Sequence, residues 1–437
     1  MTNEDIWYMK TTFRIYLSLL SALFIVGCSS SNKTMKKIPE AEVRMSNPET
    51  ISAPEELSLV AIQSKYLIKD TTQTRVFLYV DALKGKSSIS VSDFVRLYNL
   101  NYVIYSDYGT RERLGYGNVK LDSSNVTKLG DKIVIGFDIK SPNKETGVLL
   151  SEISQTGTLK KVLNDLTIRF KKQSASELYG IYTDASAEPI QRHYVNTNTP
   201  FTVKRLTQEP GTLHVFYYGH SFEPAGSPMN TAPKSGVSKS LTIDSTFTIS
   251  TNEKIQFTKE GLYNIFADTT QSEGLGLLVV NERFPKLTKP ELLLEPLVYM
   301  STNTEINEIK KTEEFKKSLD KYWLTLMNGN APLAQQSIRS FYNRVEEANQ
   351  LFTSYKEGWK TDKGMIFIVL GPPDKVQRSK DREVWTYDQR ANAQNVNFTF
   401  NRRTNQFVDD HYELVRYAEY QPIWYPIVEA WRNGTIR

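Results

Sequence analysis

The sequence has few of the residues that build metal and disulfide sites. Its 437 residues include one cysteine, Cys28, and four histidines: His193, His214, His220 and His411. A single cysteine excludes an internal disulfide framework and a cysteine-ligated zinc cluster, and four scattered histidines leave little for a histidine-rich metal site. We therefore expect neither a metal nor any other cofactor.

Strong charge and long apolar runs are missing as well. The chain has 54 Lys and Arg against 49 Asp and Glu, a net charge of +5, and the basic residues are scattered. This composition offers no basis for nucleic-acid binding. No stretch has the 18 or so apolar residues of a membrane-spanning helix. An apolar share of 39% and a charged share of 24% are typical of a globular protein, and the length predicts about three domains.

The first 28 residues read as a secretion signal. A short basic stretch precedes thirteen mostly apolar residues, 15–27, which is the length of a signal-peptide core. The run ends in Ile25-Val26-Gly27-Cys28, which resembles the bacterial lipobox. In that class of signals the cysteine receives a diacylglycerol, the chain is cut before it, and its new amine is acylated, for example with palmitate. We predict a signal peptide at 1–27, lipidation of Cys28 and a flexible tether at 28–56.

Several acyl chains would anchor the mature protein permanently, because each buried methylene contributes about 0.8 kcal/mol. The predicted location is the outer membrane. The sequence lacks an acidic cluster directly after Cys28, which favours the periplasmic face over surface exposure. The alternatives are an ordinary signal peptide with an incidental cysteine, or a buried apolar helix. Translation starting at Met9 in place of Met1 is a further alternative, because acidic residues precede Met9.

The middle of the chain has the alternating pattern of β-strands. Short segments rich in Val, Ile, Tyr and Phe are separated by Gly, Asn, Asp and Ser turns. They are 57–68, 75–82, 101–106, 132–139 and 166–170, followed by 177–184, 201–206, 213–219, 240–249, 261–268 and 276–284. We predict two tandem β-sandwich-like modules, at 57–172 and 173–295. Such modules bind or position other molecules, or serve as spacers.

The last part, 305–437, is predicted to be an α+β domain with a helix pair followed by a small antiparallel sheet. Apolar residues between Ala334 and Tyr355 recur at steps of three and four, which predicts a helix docked on a core. The run Met365–Leu370 is predicted to be a buried strand, and further strands are predicted at 384–388, 396–400 and 407–416. The end, 423–434, is predicted to be a short helix or a packed aromatic tail.

Between the helix pair and the sheet lies the segment Gly-Trp-Lys-Thr-Asp-Lys-Gly, residues 358–364. Gly358 is predicted to end the preceding helix in the left-handed conformation. Thr361 and Asp362 have short oxygens that bond nearby N–H groups, and Gly364 relaxes the resulting turn. The segment Gly371-Pro372-Pro373-Asp374 then interrupts the chain. Its prolines lack the N–H groups that a phosphate-binding loop needs.

These residues resemble the GWxTD domain, which occurs in predicted lipoproteins chiefly of the Bacteroidetes. The resemblance rests on FYNRVEEANQLF (341–352), GWKTDKG (358–364), MIFIVLGPPD (365–374) and VWTY (384–387), and it covers roughly 315–437. Many members have Arg where this chain has Lys363, and often an acid where it has Lys375. The resemblance names the domain, and it supplies no established enzyme activity that could be carried over to this chain. It nominates these positions as the motif and candidate binding residues: Gly358, Trp359, Thr361, Asp362, Gly364, Gly371, Pro372, Pro373, Asp374 and Trp385.

Two other chemistries are compatible with this region. Carboxylates could pair as acid and base across a cleft, or they could cap turns and be solvated. These carboxylates are Glu357, Asp362, Asp374, Glu383 and Asp388. The five tryptophans after the signal region lie in the last 115 residues, where they either pack a core or stack on sugar rings. These tryptophans are Trp323, Trp359, Trp385, Trp424 and Trp431.

Three functions follow from the sequence. The first is a membrane-anchored, non-enzymatic component of a cell-envelope assembly or transport complex, with protein partners. The second is a lipoprotein that binds a glycan or a peptide through its Trp-rich domain. The third is a hydrolase that uses Asp362 or Asp374.

Overall fold

The structure is a computed structural model that describes residues 57–84, 87–184, 186–232, 241–312, 314–388 and 395–436. The predicted signal peptide, Cys28 and the tether lie outside the described residues.

The first part of the fold is a β-sandwich with a short helix. Its elements are β1 (Leu57–Ile68), β2 (Gln73–Lys84), β3 (Ser87–Ser88), α1 (Val91–Leu97), β4 (Tyr98–Tyr105), β5 (Arg113–Val119), β6 (Val126–Leu129), β7 (Lys132–Lys140), β8 (Thr146–Gln155) and β9 (Lys161–Arg169). One sheet has the order β1-β2-β7-β6, with β3 beside β2, and the other has the order β5-β4-β8-β9. Alternate side chains of both sheets fill one core, with Leu78 and Ile135 from one sheet and Ile104 and Leu149 from the other.

The second part is another sandwich. Its elements are α2 (Ala175–Leu178), β10 (Tyr179–Thr183), β11 (Tyr194–Asn196), β12 (Phe201–Arg205), β13 (Thr212–Tyr218), β14 (Ser245–Ser250), β15 (Lys254–Ile255), β16 (Gly261–Phe266) and β17 (Leu275–Val280). The sheets are β10-β12-β15 and β11-β17-β16-β13-β14. The pairing is antiparallel except between β11 and β17. The two sheets share a core that includes Val203, Val215 and Leu277.

The third part combines helices with one sheet. Its helices are α3 (Pro290–Leu294), α4 (Asn303–Lys310), α5 (Phe315–Leu326), α6 (Ala331–Phe352), α7 (Asp362–Leu370) and α8 (Gln421–Arg432), with 3₁₀ turns at Glu295–Tyr299, Gly358–Lys360 and Ala418–Tyr420. Its strands, β18 (Lys375–Arg378), β19 (Arg382–Tyr387), β20 (Val396–Arg402) and β21 (Tyr412–Leu414), form an antiparallel sheet in chain order. The predicted fold class, mainly β with an α+β C-terminal part, is confirmed.

Three local predictions for this part were wrong or too long. Met365–Leu370 belongs to helix α7 and is not a strand. A six-residue apolar run fits a buried helix as well as a buried strand, and Thr361 supplies the helix N-cap. Gly358 opens a 3₁₀ turn and does not adopt a positive φ. Of the predicted strand 407–416, only Tyr412–Leu414 is extended in the sheet.

Helix α7 lies at the centre of the C-terminal core. Met365, Ile366, Ile368 and Val369 are fully buried, and apolar side chains occur all round the helix. A helix that is apolar on every side requires partners on every side. α6, α8 and the sheet supply them.

The C-terminal part also completes the second sandwich. The Gly276 N–H, on β17, donates to the Phe407 carbonyl at 3.1 Å. Phe407 and Val408 pack with Tyr218 and Leu278 in a small shared core. A side chain at position 276 would collide with the Phe407 carbonyl. The segment before β21 is therefore packed against the β16–β17 hairpin.

No helix in the described part of the chain is both long and apolar enough to cross a membrane.

Candidate functional site

The motif forms the connection between α6 and α7, and Gly358 makes its closest contact. The Gly358 N–H donates to the Thr353 hydroxyl at 2.9 Å, and that hydroxyl donates to the Asn349 carbonyl at 2.6 Å. A side chain at position 358 would run into the carbonyl of Ala348. The glycine thus lets the chain cross directly over the end of α6.

Trp359 is a core residue. Its side chain is 1% exposed. Its N–H donates to Asn349 Oδ1 at 3.0 Å, and its carbonyl accepts from the Tyr299 hydroxyl at 2.8 Å. Burial raises the pKa of Tyr299, so this hydroxyl remains a donor. Asn349 also donates to the Pro285 carbonyl at 3.0 Å. Trp359, together with Asn349, therefore connects α6 to the stretch of chain that contains Pro285 and Tyr299.

Thr361 and Gly364 form the N-terminal cap of α7. The Thr361 hydroxyl accepts from the Gly364 N–H at 3.0 Å and donates to the Gly358 carbonyl at 2.7 Å. This arrangement satisfies one of the N–H groups that a helix start leaves without a partner. A side chain at position 364 would collide with the Gly358 carbonyl. The two motif glycines therefore enable two successive backbone contacts.

Asp362 joins the first turn of α7 to two other segments. Its Oδ2 accepts from the Leu414 N–H at 2.8 Å, and its Oδ1 accepts from Arg416 Nη2 at 2.5 Å. The Arg416 guanidinium also donates to the carbonyls of Gly226 and Ser227, at 3.4 and 3.3 Å. Asp362 thus holds β21, and through Arg416 it holds a loop of the second sandwich. The Asp362 residue is 9% exposed.

A second buried carboxylate, Glu383, gathers two cations. It lies 3.2 Å from Lys363 Nζ and 2.9 Å from Arg378 Nε, and it accepts from the Trp385 indole N–H. Burial on its own would raise the pKa of Glu383, but Lys363 and Arg378 outweigh burial and lower it. Lys363 Nζ also lies 3.8 Å from the centre of the Tyr412 ring. This contact places Lys363 inside the C-terminal part.

The Gly371–Asp374 segment ends α7 and starts the sheet. Gly371 has φ +86°, which favours glycine, and its carbonyl accepts from the Tyr387 hydroxyl at 2.9 Å. Pro372 is exposed and Pro373 is half-buried. Asp374 is exposed, and its carboxylate accepts from the Asp388 N–H at 2.8 Å. Asp374 therefore organises the strand ends at the edge of the domain.

The contacts of these residues favour a role in holding the fold together over acid–base catalysis by paired carboxylates and over stacking of tryptophans on sugar rings. Asp362 and Glu383 are buried in ion pairs, and Lys360 Nζ holds Glu357 at 3.1 Å. The five tryptophans are at most 5% exposed, so their faces are not open to a sugar. Among the described residues there is no group of three or more His, Cys, Asp or Glu that could hold a metal ion.

Several residues that organise the motif were not predicted. Asn349 is buried on α6 beside the apolar stripe. A polar residue at such a position is visible in the sequence and could have indicated a buried hydrogen-bonding role. Arg416 carried no such signal, because its partner Asp362 is 54 residues away in sequence. Arg344 donates to the carbonyls of Ile368 and Val369, at 3.3 and 3.2 Å, near the C-terminus of α7. A cation near the last carbonyls of a helix is stabilising.

Comparison with known families supports the identity of this region. The family model of the GWxTD domain matches residues 261–433. The match begins at the first residue of β16, inside the stretch predicted as the second module. The packing of Phe407 against the β16–β17 hairpin gives a physical reason for that starting point. No curated protein matches the chain.

Proposed function

We propose that this chain, which carries a GWxTD domain over residues 261–433, is a membrane-anchored, non-enzymatic component of a cell-envelope assembly or transport complex. Its anchor is the acylated Cys28, and its location is the periplasmic face of the outer membrane. Its partners are other envelope proteins.

The observation that carries the non-enzymatic part is the use of the motif residues inside the fold. Gly358, Trp359, Thr361 and Gly364 form backbone and packing contacts between α6 and α7. Asp362 is 9% exposed and bonded to Arg416. A general acid or base must come within hydrogen-bond reach of a substrate, and Asp362 already has partners on both of its oxygens. These contacts support the proposal that the motif residues hold together the fold of a domain that binds partner proteins.

Metabolic labelling with radioactive palmitate tests the anchor. We expect label in the wild-type chain and in Ser30→Ala, a matched control two residues away, and no label in Cys28→Ser. The wild-type chain should float with outer-membrane vesicles, and Cys28→Ser should be missing from that fraction, because an uncut chain keeps the apolar segment 15–27 and stays where it was exported. Equal labelling of Cys28→Ser would refute lipidation at this residue.

Cross-linking on intact cells, followed by purification in detergent, tests the assembly. We expect one or more envelope proteins in fixed stoichiometry with the wild-type chain, and their loss from the Cys28→Ser protein, which lacks the lipid anchor. A strictly monomeric wild-type chain in cross-linked membranes would contradict a role in an assembly.

Protease treatment of intact cells tests the location. Protection of the chain supports the periplasmic face, and cleavage supports surface exposure.

A further inference from the structure

A cleft of about 320 Å³ lies where the two sandwiches and the C-terminal part meet. The first sandwich contributes the β4–β5 loop at 106–108 and the start of β8 at 146–148. The second contributes Glu273, and the C-terminal part contributes the β18–β19 turn at 380–381 and the segment 402–405. An adjoining depression shares Asp107, Tyr108, Lys380 and Asp381 with the cleft. Ligand sites are frequently found at such junctions.

The charges that line the cleft are balanced. Four basic side chains, Arg169, Lys380, Arg402 and Arg403, face four acidic ones, Asp107, Glu273, Asp381 and Asp409. Some of these groups bond to each other. Arg169 pairs with the carboxylates of Glu273, at 3.1 Å, and of Asp409, and Arg402 donates to the backbone carbonyl of Asp409 at 2.9 Å. Because the positive and negative charges of the lining balance, the cleft exerts no net long-range attraction on an ion of either sign.

Few of the side chains that line the cleft are aliphatic, and Tyr108 adds an aromatic ring. Of the described residues that form it, two, Val148 and Val408, have aliphatic side chains. Hydroxyl and amide groups of Ser106, Thr404 and Asn405 lie among the charged ones. Carboxylates accept, cations donate, and hydroxyl and amide groups do both. The combination suits a neutral ligand with many hydroxyl groups.

We propose that this cleft binds a short segment of a neutral glycan. Asp107 and Asp381 accept hydrogen bonds from sugar hydroxyls, and Lys380 and Arg403 donate to sugar oxygens. The adjoining depression along the β18–β19 turn accommodates the next part of an extended chain. This site differs from the tryptophan faces considered from the sequence, which are buried, and it does not depend on the proposed membrane anchor.

Calorimetric titration of the purified full-length chain in detergent tests the assignment. The probes are neutral tri- to hexasaccharides built from hexose, pentose or N-acetylhexosamine units, with sulfated and uronic-acid oligosaccharides and tripeptides as comparison ligands. We expect at least one neutral oligosaccharide to bind. Lys380→Ala and Asp381→Ala should each weaken that binding by about tenfold or more, because each removes a charge-assisted hydrogen bond.

Two variants outside the cleft serve as controls. Lys375→Ala changes an exposed lysine on β18 of the same hairpin, and Asp131→Ala changes an exposed aspartate in the β6–β7 turn. Both should bind like the wild type. Thr404→Tyr should abolish binding by filling the cleft. Three results would overturn the proposal: no binding of any neutral probe, equal binding by all variants, or binding confined to the charged oligosaccharides or the tripeptides.

Discussion

At the scale of single residues, the motif works through close packing. Its two glycines lie where another side chain would meet a backbone carbonyl. Its tryptophan fills the core, and its threonine and aspartate satisfy backbone N–H groups. Each residue type has a physical reason at its position, and each reason can be tested by substitution.

Gly364→Ala should destabilise the protein strongly. The added methyl group collides with the Gly358 carbonyl, and neither backbone segment can move without disturbing Trp359. We expect the free energy of unfolding to fall by about 3 kcal/mol, as for severe overpacking. Chemical denaturation measures this change. The control is Gly226→Ala, at an exposed glycine with open space around its Cα, which should stay within about 0.5 kcal/mol of the wild type.

Asp362→Ala and Asp374→Ala should behave differently. Removing Asp362 leaves Arg416 without its buried carboxylate, and breaking a buried pair in this way costs about 3–5 kcal/mol. Removing Asp374 deletes an exposed hydrogen bond to the Asp388 N–H, which contributes about 1 kcal/mol. Thermal and urea unfolding of both variants provide the comparison. Equal losses in the two variants would mean that the Asp362–Arg416 pair is not the contact that holds these segments.

At the scale of elements, the C-terminal part is held together by contacts at helix ends. Thr361 caps the start of α7, and Arg344 and the Trp431 indole N–H donate to carbonyls near its end. Another such contact joins the start of α4 to the end of α8. There Arg432 forms two hydrogen bonds with Glu305, at 2.7 and 3.1 Å.

The Arg432–Glu305 pair should make stability depend on pH in the acid range. The bonds from Arg432 lower the pKa of Glu305 to about 2, whereas the unfolded value is about 4.3. Because the folded pKa is the lower one, the stabilisation is fully present above about pH 4.3 and is lost as the pH falls through about 2. Arg432→Gln lacks this contribution. The difference in unfolding free energy between wild type and variant should therefore shrink from pH 5 to pH 2.

Urea denaturation at steps of pH measures that difference. The control is Lys317→Gln, on α5, which removes an exposed ion pair with the preceding Glu314. This variant should show little pH-dependent difference from the wild type. A difference between the wild type and Arg432→Gln that stays constant down to pH 2 would contradict the assignment to this pair.

At the scale of the whole molecule, one arginine connects the three parts. Arg169, at the end of β9, contacts Glu177 and Glu273 in the second sandwich and Asp409 in the C-terminal part. Lys172 adds a second cation beside Glu273. Burial, followed by the charge of Asp409, raises the pKa of Glu177, so this carboxylate depends on Arg169 for compensation. The same group borders the proposed glycan cleft.

Arg169→Met should loosen the junction while leaving the three cores intact. It leaves three carboxylates close together with Lys172 as the remaining cation, so we expect a loss of about 3 kcal/mol or more. Hydrogen exchange should speed up first around 273–276 and 405–409, where the parts meet. Arg113→Met, at an exposed position on β5, is the matched control and should exchange like the wild type. Uniform acceleration across all three cores would indicate global destabilisation and contradict a local junction.

The sequence by itself determined most of the secondary structure and the identity of the C-terminal domain. Alternating strands such as 57–68 and 132–139 and the apolar stripe of α6 are local periodicities that survive folding unchanged. Tertiary structure decided the rest. Met365–Leu370 is apolar at every position, so the run shows no periodicity that separates a buried helix from a buried strand. The cap at Thr361 and the packing against α6, α8 and the sheet make it a helix. Asp362 is paired inside the fold because a distant arginine, Arg416, reaches it. The cleft exists because loops far apart in sequence meet, and such a meeting leaves no mark on any local pattern.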